Sequence, residues 1–330
     1  MVCPTNIYRN EETTEDNIFY IPEERWNEMI GKTGPRETRK EVLFEFANLH
    51  RILTQLGMEI YLFTHESFEE TPDAVCVNDW FRSFPATGET PATLIIHPMK
   101  APSRQREKFN PVLLSLLEST YKRFFNLTPC EQGDLKVSDS FHCKSTALND
   151  AGDKKRYYLE AHTITLDRIN NVGYCAVGKN VRASNEVKKI WKEITNYELV
   201  EFHLKNEEFY QKLHNTNFIF NMGTDWAIVC FEAISPEEQL IIRERLSKTK
   251  KLIISISKQQ LTNFGAAGVL EVLSSNHKPA MLISTSAESA LGAENVELLR
   301  GCVEVLHVVD VSALEYTCGG SLSSLLGFLY

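Results

Sequence analysis

Apolar positions along the chain fall into two alternating rhythms. Five segments, 36–56, 103–125, 185–195, 236–248 and 288–300, carry them at the 3.6-residue period of an amphipathic helix. In the first, Val42, Leu43, Phe46, Leu49, Ile52, Leu53 and Leu56 form one stripe, and Gly57 follows as a stop signal. In the fourth, Ser235-Pro236-Glu237-Glu238 writes a helix start, with Pro at the first helical position, where the N–H would have no intrahelical partner. Between the helices lie short runs of β-branched and aromatic residues at 58–63, 74–77, 93–96, 157–166, 173–177, 199–203, 217–222, 226–231, 252–256, 269–273, 281–284 and 303–309, the composition of strands. Strands and helices alternate, which predicts an α/β protein. Five helices, each flanked by two or three strands, predict five copies of one βαβ-like unit, although no literal repeat is present.

Composition changes this picture mainly by exclusion. No linker rich in Pro, Gly or Ser divides the 330 residues, so the chain is read as one domain, 1–330, with 130–155 as an excursion around Asn149-Asp150-Ala151-Gly152-Asp153. Thirty-five Lys+Arg against 44 Asp+Glu leave a net charge of -9, which disfavours a nucleic-acid partner. The longest uncharged apolar runs, 217–223 and 252–257, are far shorter than a membrane span of roughly 20 residues. The start of the chain is acidic and polar, unlike a signal or transit peptide, so a cytoplasmic protein is expected. Eight cysteines without a CxxC pair are read as reduced and buried, and no metal site is expected. GxGxxG, GxxxxGK[ST] and GxSxG are all absent, which removes the usual supports for a dinucleotide, P-loop or α/β-hydrolase enzyme; no cofactor is expected. Arg104, Arg106 and Glu107 read as surface ion pairs, and Lys248-Thr249-Lys250-Lys251 as a solvated basic run.

Several segments together carry a family resemblance. Val2-Cys3-Pro4-Thr5-Asn6-Ile7, Asn10-Glu11-Glu12-Thr13 and Asn17 open the chain; Thr71-Pro72-Asp73-Ala74-Val75-Cys76-Val77-Asn78-Asp79-Trp80-Phe81 and His97-Pro98-Met99-Lys100-Ala101 with Arg104, Arg106 and Glu107 follow. Then come Leu159-Glu160 with Leu166-Asp167-Arg168, Thr216 to Thr224 leading to Cys230, Gln260 to Phe264, and Gly319-Gly320-Ser321-Leu322-Ser323-Ser324. In this order they resemble the arginine deiminase and amidinotransferase (pentein) superfamily, most closely its citrulline-hydrolase and dimethylargininase-like branch. The resemblance implies a pentein α/β-propeller of five ββαβ units around a pseudo-five-fold axis, with the active site in the central channel.

It also implies a chemistry. A guanidinium or ureido carbon is resonance-stabilised and its leaving amine poor, so its hydrolysis calls for a thiolate nucleophile, a His that serves the leaving nitrogen and the water, and carboxylates that hold the cation. By resemblance, Glu160 and Asp79 take the carboxylate positions, with Asn78 and Asn215 as ligand-facing residues. The bland readings are a solvated Glu on a strand edge and a turn Asp. Where the family reads His-Thr-Asn, this chain reads His214-Asn215-Thr216-Asn217, which displaces His214 by one residue and, on a strand, points it to the opposite face. The nucleophile position holds Ser324. Cys318 lies six residues before it, about 20 Å of extended chain away. These departures, with the missing glycines after Glu160 and Cys76-Val77 in place of Phe-Pro, read as loss in nature rather than one introduced change. The expectation is therefore a catalytically impaired pseudoenzyme with Ser324, His214 and Glu160 as vestigial catalytic residues, which binds a guanidino or ureido ligand or a protein partner. The alternative is an active hydrolase of arginine, methylarginine or citrulline. Family members often form dimers, so a homodimer is a further expectation.

Overall fold

The computed structural model describes residues 1–5, 7–14, 17–20, 23–66, 69–88, 90–138 and 155–330. Four three-stranded sheets repeat one plan, an antiparallel hairpin followed by a helical crossover to a strand parallel to the hairpin's second strand. The first is β1 (Phe81–Phe84), β2 (Thr93–Ile96) and β3 (Arg123–Asn126), with Phe81 opposite Ile96 and Ile95 opposite Phe125; the helix Pro111–Thr120 connects β2 to β3. The second is β4 (Ile164–Asp167), β5 (Val172–Val177) and β6 (Glu198–His203) with the helix Asn185–Thr195. The third is β7 (Phe220–Met222), β8 (Trp226–Val229) and β9 (Leu252–Ser255) with Pro236–Lys248, and the fourth is β10 (Val269–Leu273), β11 (Pro279–Ser284) and β12 (Val305–Val309) with Thr285–Arg300. The fold is thus a mixed α/β arrangement of small sheets.

Val2 and Phe63, which flank the helix Glu23–Gln55 in the chain, form one isolated parallel bridge. Segment 58–63 does not extend into a strand because its ladder consists of hydrogen bonds at Met1 and Cys3 alone, Phe63 N to Met1 O (3.0 Å) and Cys3 N to Phe63 O (2.8 Å).

Local chemistry explains the other differences from the pattern. The segment read as one helix over 103–125 breaks at Asn110-Pro111, where Pro supplies no N–H and Asn110, in an extended conformation, caps the new helix by accepting from Leu113 N at 3.0 Å. Phe124 and Phe125 beyond it are strand residues paired with β2. Residues 74–77 form turns leading into the 3-10 helix Val77–Asp79, and β1, which lacks β-branched residues, carries no strand signal. The first helix starts at Glu23, 13 residues before the predicted segment 36–56, running through Gly34-Pro35. Lys251 is not solvated: it is buried, pairs with Asp167 at 3.5 Å and donates to Gly223 O at 3.0 Å. The loop core 149–153 and Cys143 lie outside the described residues; the seven described cysteines are free, five of them buried. No described helix is long and apolar enough to cross a membrane.

The largest apolar cluster packs Trp226, Phe202, Phe218, Phe220 and Tyr174 between the second and third sheets. His97, just past β2, ties the first sheet to the segment that leads into β4 by donating from Nδ1 to Leu159 O at 2.9 Å. Burial, then the nearby Arg82 charge, lower its pKa from 6.5 to about 3. Between these values the unfolded chain binds a proton that the folded chain does not, so this contribution to stability is complete above pH 6.5 and drains away as the pH falls, by up to about 1.4 kcal/mol per pH unit. His97→Asn, which keeps a donor for Leu159 O, is expected to flatten the pH dependence of the urea-unfolding free energy in this acid range. Equal slopes in the two proteins would show that His97 is not the group responsible.

Candidate functional site

Two consecutive turns at 71–79 set the first carboxylates. Ala74 N bonds Thr71 O at 3.2 Å, Cys76 N bonds Asp73 O at 2.8 Å, and the 3-10 helix then turns Asp79 inward; both Asp73 and Asp79 are buried. Asp73 accepts from Asn10 Nδ2 (2.7 Å), Thr13 Oγ1 (3.1 Å) and the Tyr20 hydroxyl. Burial and the Asp73 charge push the Tyr20 phenol well up, so it stays a donor. Asn17 Nδ2 reaches Gly319 O at 3.2 Å, and Phe19 stacks on Phe218 with centroids 3.8 Å apart. The N-terminal segment therefore closes over the site.

Asp79 is the centre of a buried charge network. Arg104 donates from Nη1 to Asp79 Oδ2 (2.9 Å), from Nε to Glu107 Oε1 (2.7 Å) and from Nη2 to Cys76 O (3.0 Å). Arg104 and Glu107 are thus buried, not a surface pair: withdrawn from solvent, the guanidinium is satisfied by two carboxylates and a main-chain carbonyl. His162 donates from Nδ1 to the other oxygen of Asp79, while Asn78 Nδ2 donates to His162 Nε2 (3.1 Å) and to Ser323 O (2.9 Å). Burial alone would raise the Asp79 pKa, but His162 and Arg104 outweigh it and hold the carboxyl below the usual range. Burial pushes Glu107 up to about 8 against the pull of Arg104.

Glu160 is fully buried as well, and is not a solvated edge residue. It precedes the 3-10 helix Ala161–Thr163, accepting from Arg182 Nη1 at 3.0 Å and from Lys100 N at 3.3 Å. Main-chain bonds run from Glu160 N to Arg182 O (3.1 Å) and from Arg182 N to His214 O (2.9 Å), which brings three distant segments side by side.

Asp79, Arg104, Arg182, His214, Asn215 and Ser324 all line one cavity of about 10 Å³, room for about one water. His214 and Asn215 stand in the irregular stretch before the 3-10 helix Thr216–Phe218, so strand alternation does not separate their side chains. Cys318 lines the cavity too. The helix Ser312–Cys318 ends at Gly319 in the left-handed region (φ 60°) and the chain doubles back through Leu322–Leu325, so the extended-chain separation of Cys318 and Ser324 does not apply. A Cβ at Gly319 would stand 2.5 Å from Asn17 Nδ2, and one at Gly320 would stand 3.1 Å from Cys76 Sγ. The hydrogen bond with Cys318, then burial, push the Cys76 thiol well up. Ser324 Oγ has no hydrogen-bond partner among the described residues; its amide bonds Ser321 O at 2.8 Å.

Of the residues read from the sequence, Asp79, Asn215, His214 and Ser324 meet in this cavity. Glu160 and Asn78 stand one step behind it, acting through Arg182 and through His162 and Ser323. Asp73 lies within the quoted 71–81 segment, whereas His162, in the 3-10 helix Ala161–Thr163, and Arg182, in the bend before Ala183, carry no motif signal. Among the described residues no group of three or more His, Cys, Asp or Glu side chains is arranged to hold a metal ion. Arg104→Met, which leaves Asp79 and Glu107 without their shared cation, is expected to cost about 3–5 kcal/mol in urea unfolding. Adding Glu107→Gln is expected to recover part of the loss; a single variant as stable as the unaltered protein would show that the network is not structural.

The sequence profile of N,N dimethylarginine dimethylhydrolase, eukaryotic, matches residues 3–326. Among curated proteins none matches the sequence. Among solved structures, the fold is similar to the substrate-bound N-terminal domain of ArgZ, an arginine dihydrolase of the ornithine–ammonia cycle in cyanobacteria, with TM-score 0.64, 13% identity, and 98% of this chain and 95% of that chain covered. It is also similar to unliganded AgrE (TM-score 0.62, 15% identity, 98% and 38% covered) and to a dimethylarginine dimethylaminohydrolase variant carrying an S-methyl-L-thiocitrulline adduct (TM-score 0.54, 13% identity, 87% of both chains covered).

Proposed function

The chain belongs to the eukaryotic N,N dimethylarginine dimethylhydrolase family, within the pentein superfamily, and from that premise we propose that it has given up hydrolysis and acts as a guanidino- or ureido-binding scaffold whose resting site is filled by its own arginines. The observation that carries this reading is Ser324. Among the described residues its hydroxyl is hydrogen-bonded to no base, whereas a serine nucleophile needs one at about 2.6–3.2 Å to lose its proton. The carboxylates that would hold a cationic ligand are already committed, Asp79 to Arg104 (2.9 Å) and Glu160 to Arg182 (3.0 Å), so a ligand enters by displacing Arg182 from Glu160. In the similar cyanobacterial arginine dihydrolase a cysteine-to-serine variant was crystallised with its substrate, which supports serine as a residue that permits binding without turnover. The four repeated sheets and the Val2–Phe63 bridge support five ββαβ units around a pseudo-five-fold axis. A cytoplasmic protein with a protein partner or a second copy of itself as the receiver of the ligand signal completes the proposal.

A second reading, active hydrolysis, is favoured by one observation, the two thiols Cys76 and Cys318 beside His214 in the same cavity. Mass spectrometry of the protein with arginine, methylated arginines, citrulline and agmatine separates the two. No product is expected from the unaltered protein or from Ser324→Cys. Arg182→Gln, which frees Glu160, is expected to bind arginine or agmatine at least about tenfold more tightly in calorimetry. Product from the unaltered protein would overturn the proposal and assign the reaction to a thiol, with Cys318→Ser identifying which. Product from Ser324→Cys alone would show that the internal arginines leave the site open.

A further inference from the structure

A second cavity, of about 520 Å³, lies on the other side of the layer formed by Asn78, His162, Asn217 and Ser323, and two guanidinium groups face it. Arg82 on β1 donates from Nη1 to Ile164 O of β4 at 2.6 Å, and Arg168, just past β4, donates from Nη2 to Ser83 O of β1 at 3.2 Å. The exchange ties two sheets together and brings two like charges close enough for Arg168 to be felt at Arg82; burial, then Arg168, lower the Arg82 pKa to about 9. Arg168 is further fixed by the rings of Phe84 and Tyr330, with centroids 5.5 and 4.9 Å from its guanidinium carbon.

Among the described residues no carboxylate lies at ion-pair distance from either arginine, and the buried Arg168 Nη1 has no hydrogen-bond partner. Glu271, whose side chain also lines this cavity, is engaged by Thr224 N at 3.1 Å and Trp226 Nε1 at 2.8 Å. Asn217, buried in the dividing layer, holds Ser323 Oγ with its amide nitrogen at 3.1 Å and leaves Oδ1 without a partner. Adjacent half-buried cations with no carboxylate at ion-pair distance among the described residues repel each other unless an anion joins them, and the planar forks of two arginines match the oxygens of a carboxylate or phosphate.

We propose that this cavity is a binding site for a small oxyanion, a carboxylate or a phosphate, held between Arg82 and Arg168, separate from the family's candidate active site. The anion would lock β1 to β4 from below the layer that carries Asn78 and His162.

Thermal unfolding in sodium phosphate and in sodium acetate at about 10 mM, each against sodium chloride of matched ionic strength, tests the site. At least one of the two anions is expected to raise Tm above the chloride control, phosphate alone marking a phosphate site and both marking a general oxyanion site. The increment is expected to vanish in Arg168→Gln, which keeps a donor for Ser83 O, and to persist in Lys248→Gln, which removes the same charge from an exposed helix end. An equal rise in chloride, or an undiminished increment in Arg168→Gln, overturns the proposal. Should Arg168→Gln fail to fold, crystals of the unaltered protein soaked in selenate decide: an anomalous peak between the two guanidinium groups is expected, and its absence at saturating selenate is the contrary result.

Discussion

The ion pair between Asp79 and Arg104 is the constraint on which the centre of the molecule depends. Both groups are about 4% exposed, and withdrawing such charges from water costs several kcal/mol apiece unless their partners are close and fully satisfied. The satisfaction extends outward from the pair. Arg104 ties the helix Pro102–Arg106 to Glu107 and to the carbonyl of Cys76; His162 ties the turn before β4 to Asp79 and, through Asn78, to the carbonyl of Ser323 near the C-terminus. One carboxylate thus orders four segments.

The same network divides the interior. Asn78 and Ser323 face the larger cavity, while their neighbours Asp79 and Ser324 face the smaller one. Each chamber has its own charge character. On the Asp79 side Arg104 donates to two carboxylates and a carbonyl and Arg182 to Glu160, so positive charge is met by negative. On the Arg82 side the guanidiniums meet, among the described residues, carbonyls and rings. The first arrangement resists an incoming cation until an arginine moves; the second invites an anion.

Much of the scaffold was legible from periodicity. The helices Asn185–Thr195 and Pro236–Lys248 and the strands Thr93–Ile96 and Val269–Leu273 have the bounds that their apolar spacing predicts. Periodicity does not fix the elements where a single residue overrides it, as at Asn110-Pro111, or where a segment lacks propensity but finds a partner, as in β1. Lys251 escaped because a basic run reads as solvated unless Asp167, far away in sequence, is known to wait beneath it.

Residue type and order determined which chemistry the centre can and cannot hold: carboxylates at Asp79 and Glu160, a hydroxyl instead of a thiol at Ser324, and a family pattern strong enough to specify the fold. What only the tertiary structure decided is the state of those charges. Asp79 lies 25 residues from Arg104 and 83 from His162, and Glu160 lies 22 from Arg182. Electrostatic energy falls with distance in space, not along the chain, so whether a carboxylate is open to a ligand or already neutralised is settled only when the fold brings its partners within 3 Å.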